Sequence, residues 1–240
     1  MALPIKIDPC PIAEAGFEVR FTASIYAGAV FGLVYNVLKE SHPSTVVKLP
    51  ILQLPEELRD QDPNLIYRPH YQISNDNFFV QIGPRVIVIV CKTPYPGWKA
   101  FKQEVVEALA AIIDTEAIGT IERMGLRYVN IFTGDVTEEI TLKIKSEVPY
   151  DTKTVSMRMT VEHGGLMNNI NIHNEALVGE KKDQTGTVVD IDTFINLNMP
   201  VSAWDYADIL DRMHDAEKSI FFASIEESLL EQLNPTYANE

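Results

Sequence analysis

Apolar residues at Phe17, Val19 and Phe21 alternate with Glu18 and Arg20, and this two-residue period predicts a half-buried strand within Ile12 to Phe21. The rhythm then lengthens. From Ile25 to Glu40 the positions Tyr26, Val30, Val34 and Val37/Leu38 fall at helical spacing, Thr22 or Ser24 offers a cap, and His42-Pro43 stops the pattern. Prolines 50, 55, 63 and 69, set among Glu56, Glu57, Asp60 and Asp62, predict a long acidic connection with room for a helical turn.

Tyr71 to Ile73, Phe78 to Ile82 and Arg85 to Lys92 read as a meander of strands joined by "SNDN" and "GP" turns. A second helix is expected from about Gly97, with Trp98, Phe101, Val105, Leu109 and Ile112 as its stripe and Asp114-Thr115 at its end. Further strands are expected over Thr120 to Phe132, Ile140 to Ser146, Val155 to His163, Leu166 to His173 and Thr187 to Asn196, with Gly164-Gly165 a hairpin turn. A long closing helix, with Ser202 ahead of Asp205 in a capping-box-like arrangement, carries Ile209/Leu210, Met213, Ile220, Ser224 and Leu229 on one face to about Leu233. These elements imply an α+β protein: a largely antiparallel β-sheet, helices packed on one face and a long C-terminal helix. A single unit over residues 1–240 is expected; segments 1–134 and 135–240 share a coarse plan, which leaves two similar halves open.

Composition narrows the function. A chain of 240 residues that is 46% hydrophobic can bury a sizeable core without disulfide or metal staples. Against 20 Lys+Arg stand 34 Asp+Glu, a net charge of −14 that repels phosphate backbones and anionic membranes. Cys10 and Cys91 lie far apart with no ligand spacing, as in a reducing compartment. The first residues hold no basic segment followed by an apolar core, and the densest apolar runs, Ala27 to Val34 and Val86 to Cys91, are far shorter than the roughly 20 residues of a spanning helix. A cytoplasmic protein is expected, with neither nucleic acid nor membrane among its partners.

The segment "GTVVDIDTF" sets Asp190 and Asp192 side by side on one strand face. Two carboxylates on one strand supply too few ligands for a hard cation, and no metal site is expected. In "ERMGLRYVN", Arg123, Gly125 and Arg127 likewise share a face, so two guanidinium forks stand on one strand face as the two carboxylates do. Cross-strand pairing is the expected result, with Gly125 allowing a close approach. Glu18 and Arg20 form a second polar pair, with Glu14 beyond an expected bend at Ala15-Gly16. His163 and His173 flank one hairpin and could face each other, but a zinc site there lacks third and fourth ligands. His214, on the closing helix, becomes a general base only if it faces the Arg127/Asp192 strands. Nucleophile motifs and phosphate loops are absent from the sequence, and no cofactor is expected.

"PIAEAGFEVRF" (Pro11 to Phe21), "RMGLRYVNIF" (Arg123 to Phe132), "VVDIDTF" (Val188 to Phe194) and "DRMHDAEKSIFFASI" (Asp211 to Ile225) together resemble a sporadically distributed family of uncharacterised bacterial and archaeal proteins. The marks run in order over nearly the whole chain. The resemblance implies a protein of roughly 240 to 270 residues and no established activity. Its scattered occurrence is similar to that of accessory genes, including defence and toxin-antitoxin cargo. The polar marks it implies are Glu14, Glu18, Arg123, Arg127, Asp190, Asp192 and His214.

The leading expectation is a non-catalytic binding or interaction protein of an accessory or defence-type system, its sheet presented to a protein partner or small ligand. A homo-oligomer is compatible with the sequence. The alternative is a metal-dependent or acid/base hydrolase using Asp190, Asp192 and His214, with Arg127 orienting an anionic group. An acidic mimic of nucleic acid is a third reading, weakened by the scatter of the acidic residues.

Overall fold

In a computed structural model that describes residues 3–143, 153–178 and 184–238, the chain is α+β. Its strands are β1 (Ile12–Ala23), β2 (Val47–Lys48), β3 (Tyr71–Ser74), β4 (Phe78–Gly83), β5 (Val86–Cys91), β6 (Ile118–Thr133), β7 (Ser156–His163), β8 (Leu166–Val178) and β9 (Gln184–Pro200). They hydrogen-bond as a largely antiparallel nine-stranded sheet in the order β2-β3-β4-β5-β1-β6-β9-β8-β7. The helices are α1 (Val30–Leu38), α2 (Glu56–Gln61), α3 (Trp98–Ile113), α4 (Tyr206–Ser224) and α5 (Glu227–Gln232). Among the described residues no helix is long and apolar enough to cross a membrane.

Two compact units emerge, each discontinuous in sequence. One comprises residues 14–126 with 194–211, the other 127–193 with 1–13 and 212–240. Three of their bounds fall inside strands (β1, β6 and β9) and the fourth, between residues 211 and 212, inside α4.

In the first unit the alternation of β1 buries Ala15, Phe17, Val19 and Phe21 and leaves Glu18 and Arg20 on the opposite face. Facing the apolar side, α1 buries Val30, Val34 and Leu38, and α3 buries Phe101, Val105, Leu109 and Ile112. Phe101 stacks on Phe78 of β4 with ring centroids 6.3 Å apart. The end of α1 is tied to α3 by His42, whose Nε2 lies 3.0 Å from Glu104 Oε1, while Asn75 and Ser41 complete its surroundings. His42 is thus a core histidine with every polar atom partnered. The proline-rich connection is more ordered than its composition suggests: Pro50–Gln53 forms a 3₁₀ turn and α2 follows.

In the second unit Ile170 and Ile172 of β8, Val189 and Ile191 of β9 and Phe132 of β6 pack with Phe221, Ile225, Leu229 and Leu233. The Gly164-Gly165 hairpin is present, with φ of 60° and 76°, left-handed values that glycine adopts without strain.

Four expectations are corrected. β1 runs without a bend through Ala15-Gly16, so Glu14 shares the face of Glu18. The cap of α4 is Asp205, whose Oδ1 accepts the Asp208 amide at 3.2 Å, whereas Ser202 belongs to a preceding 3₁₀ turn. The closing helix is two helices, because the backbone between them pairs with another segment: Thr141 N donates to Ser224 O and Glu226 N to Glu139 O. The strand expected over Ile140 to Ser146 is therefore an isolated bridge from Ile140 to Ile225, and its part beyond residue 143 lies outside the described residues.

Candidate functional site

Arg127 and Asp190 form the first polar cluster. Arg127 Nε donates to Asp190 Oδ1 at 2.7 Å and Nη2 to Oδ2 at 3.0 Å, the two-point match of a planar fork to a carboxylate. Asn171 adds a donor to Oδ2 at 3.2 Å. Asp192, two residues on and so on the same face, accepts from Asn169 at 3.4 Å, and Asn169 in turn accepts from Thr160 at 2.7 Å. Antiparallel pairing of β7 with β8 puts Thr160 opposite Asn169 and Arg158 opposite Asn171, so the ladder of polar side chains follows from register.

Arg123 belongs to a different cluster, in the 14–126 unit. Its Nη1 donates to Glu18 Oε1 at 2.5 Å, and Arg20 Nε reaches the same oxygen at 2.7 Å. The Arg123 guanidinium lies 4.5 Å from the Phe194 ring centroid, a cation–π contact. Gly125 explains how it fits: a Cβ there would overlap the guanidinium of Arg123. Arg20 in turn sits 4.9 Å over the ring of Tyr67, whose hydroxyl donates to Glu122 at 2.7 Å. Burial and then the Glu122 hydrogen bond raise the Tyr67 pKa, so it stays a neutral donor.

His214 lies on the other side of β6 from Arg127. It meets Tyr128, whose hydroxyl oxygen is 3.4 Å from Nδ1, and adjacent residues of a strand point to opposite faces. The strand thus separates His214 from Asp190, and the acid/base grouping of Asp190, Asp192 and His214 does not assemble. His163 and His173 are separated too: the tight turn pairs His163 with Leu166, and His173 lies at the far end beside Ser156. Among the described residues no three His, Cys, Asp or Glu side chains are grouped to hold a metal ion.

Residue-by-residue reading of the sequence misses a concavity in the 14–126 unit. A cavity of about 300 Å³ is lined by Tyr26, just before the 3₁₀ turn that leads into α1, Phe31 of α1, Arg59 of α2, His70 and Tyr71 at β3, and Arg85 in the β4–β5 turn. Phe31 stacks on Tyr71 with ring centroids 4.0 Å apart. Arg59 Nε donates to Leu54 O at 3.2 Å, and its Nη1 is 3.2 Å from both ring nitrogens of His70. Burial, and then the Arg59 charge, lower the His70 pKa, which favours the neutral ring beside the guanidinium. Close packing shapes the far wall: a Cβ on Gly83 would lie 2.8 Å from the Arg68 carbonyl oxygen. The one sequence cue to this site is Arg59 and Arg85 among aromatics in otherwise acidic surroundings.

Fold and geometry together define the class as an α+β protein with a largely antiparallel sheet and a polar cavity on its 14–126 unit. Compared with known proteins, the chain matches no family model and no curated protein.

Proposed function

We propose that this chain is a non-catalytic binding protein and that the cavity of its 14–126 unit takes a small ligand. The observation that carries the reading is the cavity itself. At about 300 Å³ it has the size of a small-molecule site, and aromatic rings line it beside a few convergent polar groups. The polar clusters support the same reading by a different route. Arg127 with Asp190, and Arg123 with Glu18, hold each other in strand-to-strand pairs that order the sheet. His214, a general base only if it met the Arg127/Asp192 strands, faces Tyr128 on the other side of β6 from Asp190.

Saturation-transfer NMR with a set of one-ring compounds tests the proposal. The wild-type protein is expected to give signals that vanish in Ala27→Trp, in which an indole occupies the cavity beside Tyr26. Equal signals from the two proteins, or none from either, would overturn it.

A further inference from the structure

Resting on the reading of this cavity as a ligand site, we infer that its occupant is a flat aromatic anion, a ring bearing a carboxylate or phosphate held by Arg59 and Arg85. Arg85 is exposed, and although its carbonyl oxygen accepts from Phe21 N, its guanidinium makes no hydrogen bond or ion pair among the described residues. An unpaired guanidinium at a cavity wall is a fork ready for two anionic oxygens. Arg59 is half-buried, and its Nε and Nη1 are directed at Leu54 and His70, which fixes the plane of the group and leaves Nη2 for a ligand.

The other walls explain the ring. Tyr26 is 78% exposed at the rim, where its ring face is open to a ligand, and Tyr71 and Phe31 form a stacked pair inside. Gly28 lets the Tyr26 ring fold back toward the cavity, since a Cβ at Gly28 would stand 2.7 Å from Tyr26 Cε1. Two carboxylates, Glu56 and Asp60, also line the cavity. Both are exposed, so water weakens their pull on the arginines, and they disfavour a second negative group on the same ligand. The site suits one anionic group on an apolar plane.

Amide chemical-shift titrations with benzoate, phenyl phosphate, benzamide and benzamidine test this. Benzoate or phenyl phosphate is expected to shift Tyr26, Phe31, Tyr71 and Gly83 at lower concentration than the neutral amide or the cation. Arg85→Gln, which removes an exposed side chain with no partner, is expected to weaken the anions about tenfold, the scale of one charge-assisted hydrogen bond, and to leave benzamide unchanged. Benzamide or benzamidine binding as well as the anions would overturn the anion inference while leaving a small-ligand site standing. Silence from all four probes at these residues would overturn both. Unchanged benzoate and phenyl phosphate affinity in Arg85→Gln would remove Arg85, and with it the inference.

Discussion

Arg127 grips Asp190 with two hydrogen bonds, Nε to Oδ1 at 2.7 Å and Nη2 to Oδ2 at 3.0 Å, although the arginine is half exposed and the carboxylate is largely buried. The asymmetry sets the energetics. Removing Arg127 leaves a largely buried carboxylate with the Asn171 amide as its remaining donor, whereas removing both charges leaves no uncompensated ion. Arg127→Met is expected to lower the urea unfolding free energy by about 1 to 3 kcal/mol. Arg127→Met with Asp190→Asn is expected to cost less than the sum of the single changes, as a double-mutant cycle measures. Strict additivity would show that the pair does not couple.

Gly83 and Gly125 make a matched contrast. At Gly83 an added Cβ meets the Arg68 carbonyl oxygen and Val86 Cγ1, each at 2.8 Å, and backbone does not yield cheaply. At Gly125 it meets the far end of Arg123, which can swing away at the loss of its Glu18 contact. Gly83→Ala is expected to cost about 1 to 3 kcal/mol and Gly125→Ala about 1 kcal/mol or less. Once Arg123→Ala is in place, Gly125→Ala should cost nothing further in thermal or urea unfolding.

Glu217 is buried on α4, and burial pushes its carboxyl up to about 8 from an ordinary 4.5. The folded protein holds this proton where the unfolded chain has released it. Folding therefore binds a proton between pH 4.5 and about 8, and this group's contribution falls as pH rises through that window. The slope approaches roughly 1.4 kcal/mol per pH unit for one proton. Glu217→Gln, which cannot ionise, is expected to flatten the pH dependence of the urea midpoint between pH 5.5 and 7.5. A slope that is the same in both proteins would show that Glu217 is not its source.

The two thiols differ for the same reason. Cys10 is exposed, and Cys91 is buried with its thiol pushed up to about 12, chiefly by burial. Reagents attack the thiolate. At pH 8 a colorimetric disulfide reagent is expected to label Cys10 rapidly and Cys91 only after denaturant is added, and Cys10→Ser should abolish the fast phase.

Local periodicity by itself determined much of this protein. Alternation in "GFEVRF" fixed which face of β1 is apolar, the spacing of Arg127 and Asp190 put each on a polar face, and Gly164-Gly165 announced its hairpin. These are short-range consequences of backbone geometry, with a period of two in strands and 3.6 in helices. Tertiary structure decided the rest, because periodicity gives a side chain a face but no neighbour. Only strand order made Glu18 the acid beside Arg123, and only the seating of α4 against β6 turned His214 toward Tyr128. The same holds for the break after Ser224, where a distant backbone segment competes with the helix for hydrogen bonds. The cavity is the extreme case: Tyr26, Arg59, His70 and Arg85 come from separate elements, and no pattern along the chain encodes the space that packing leaves between them.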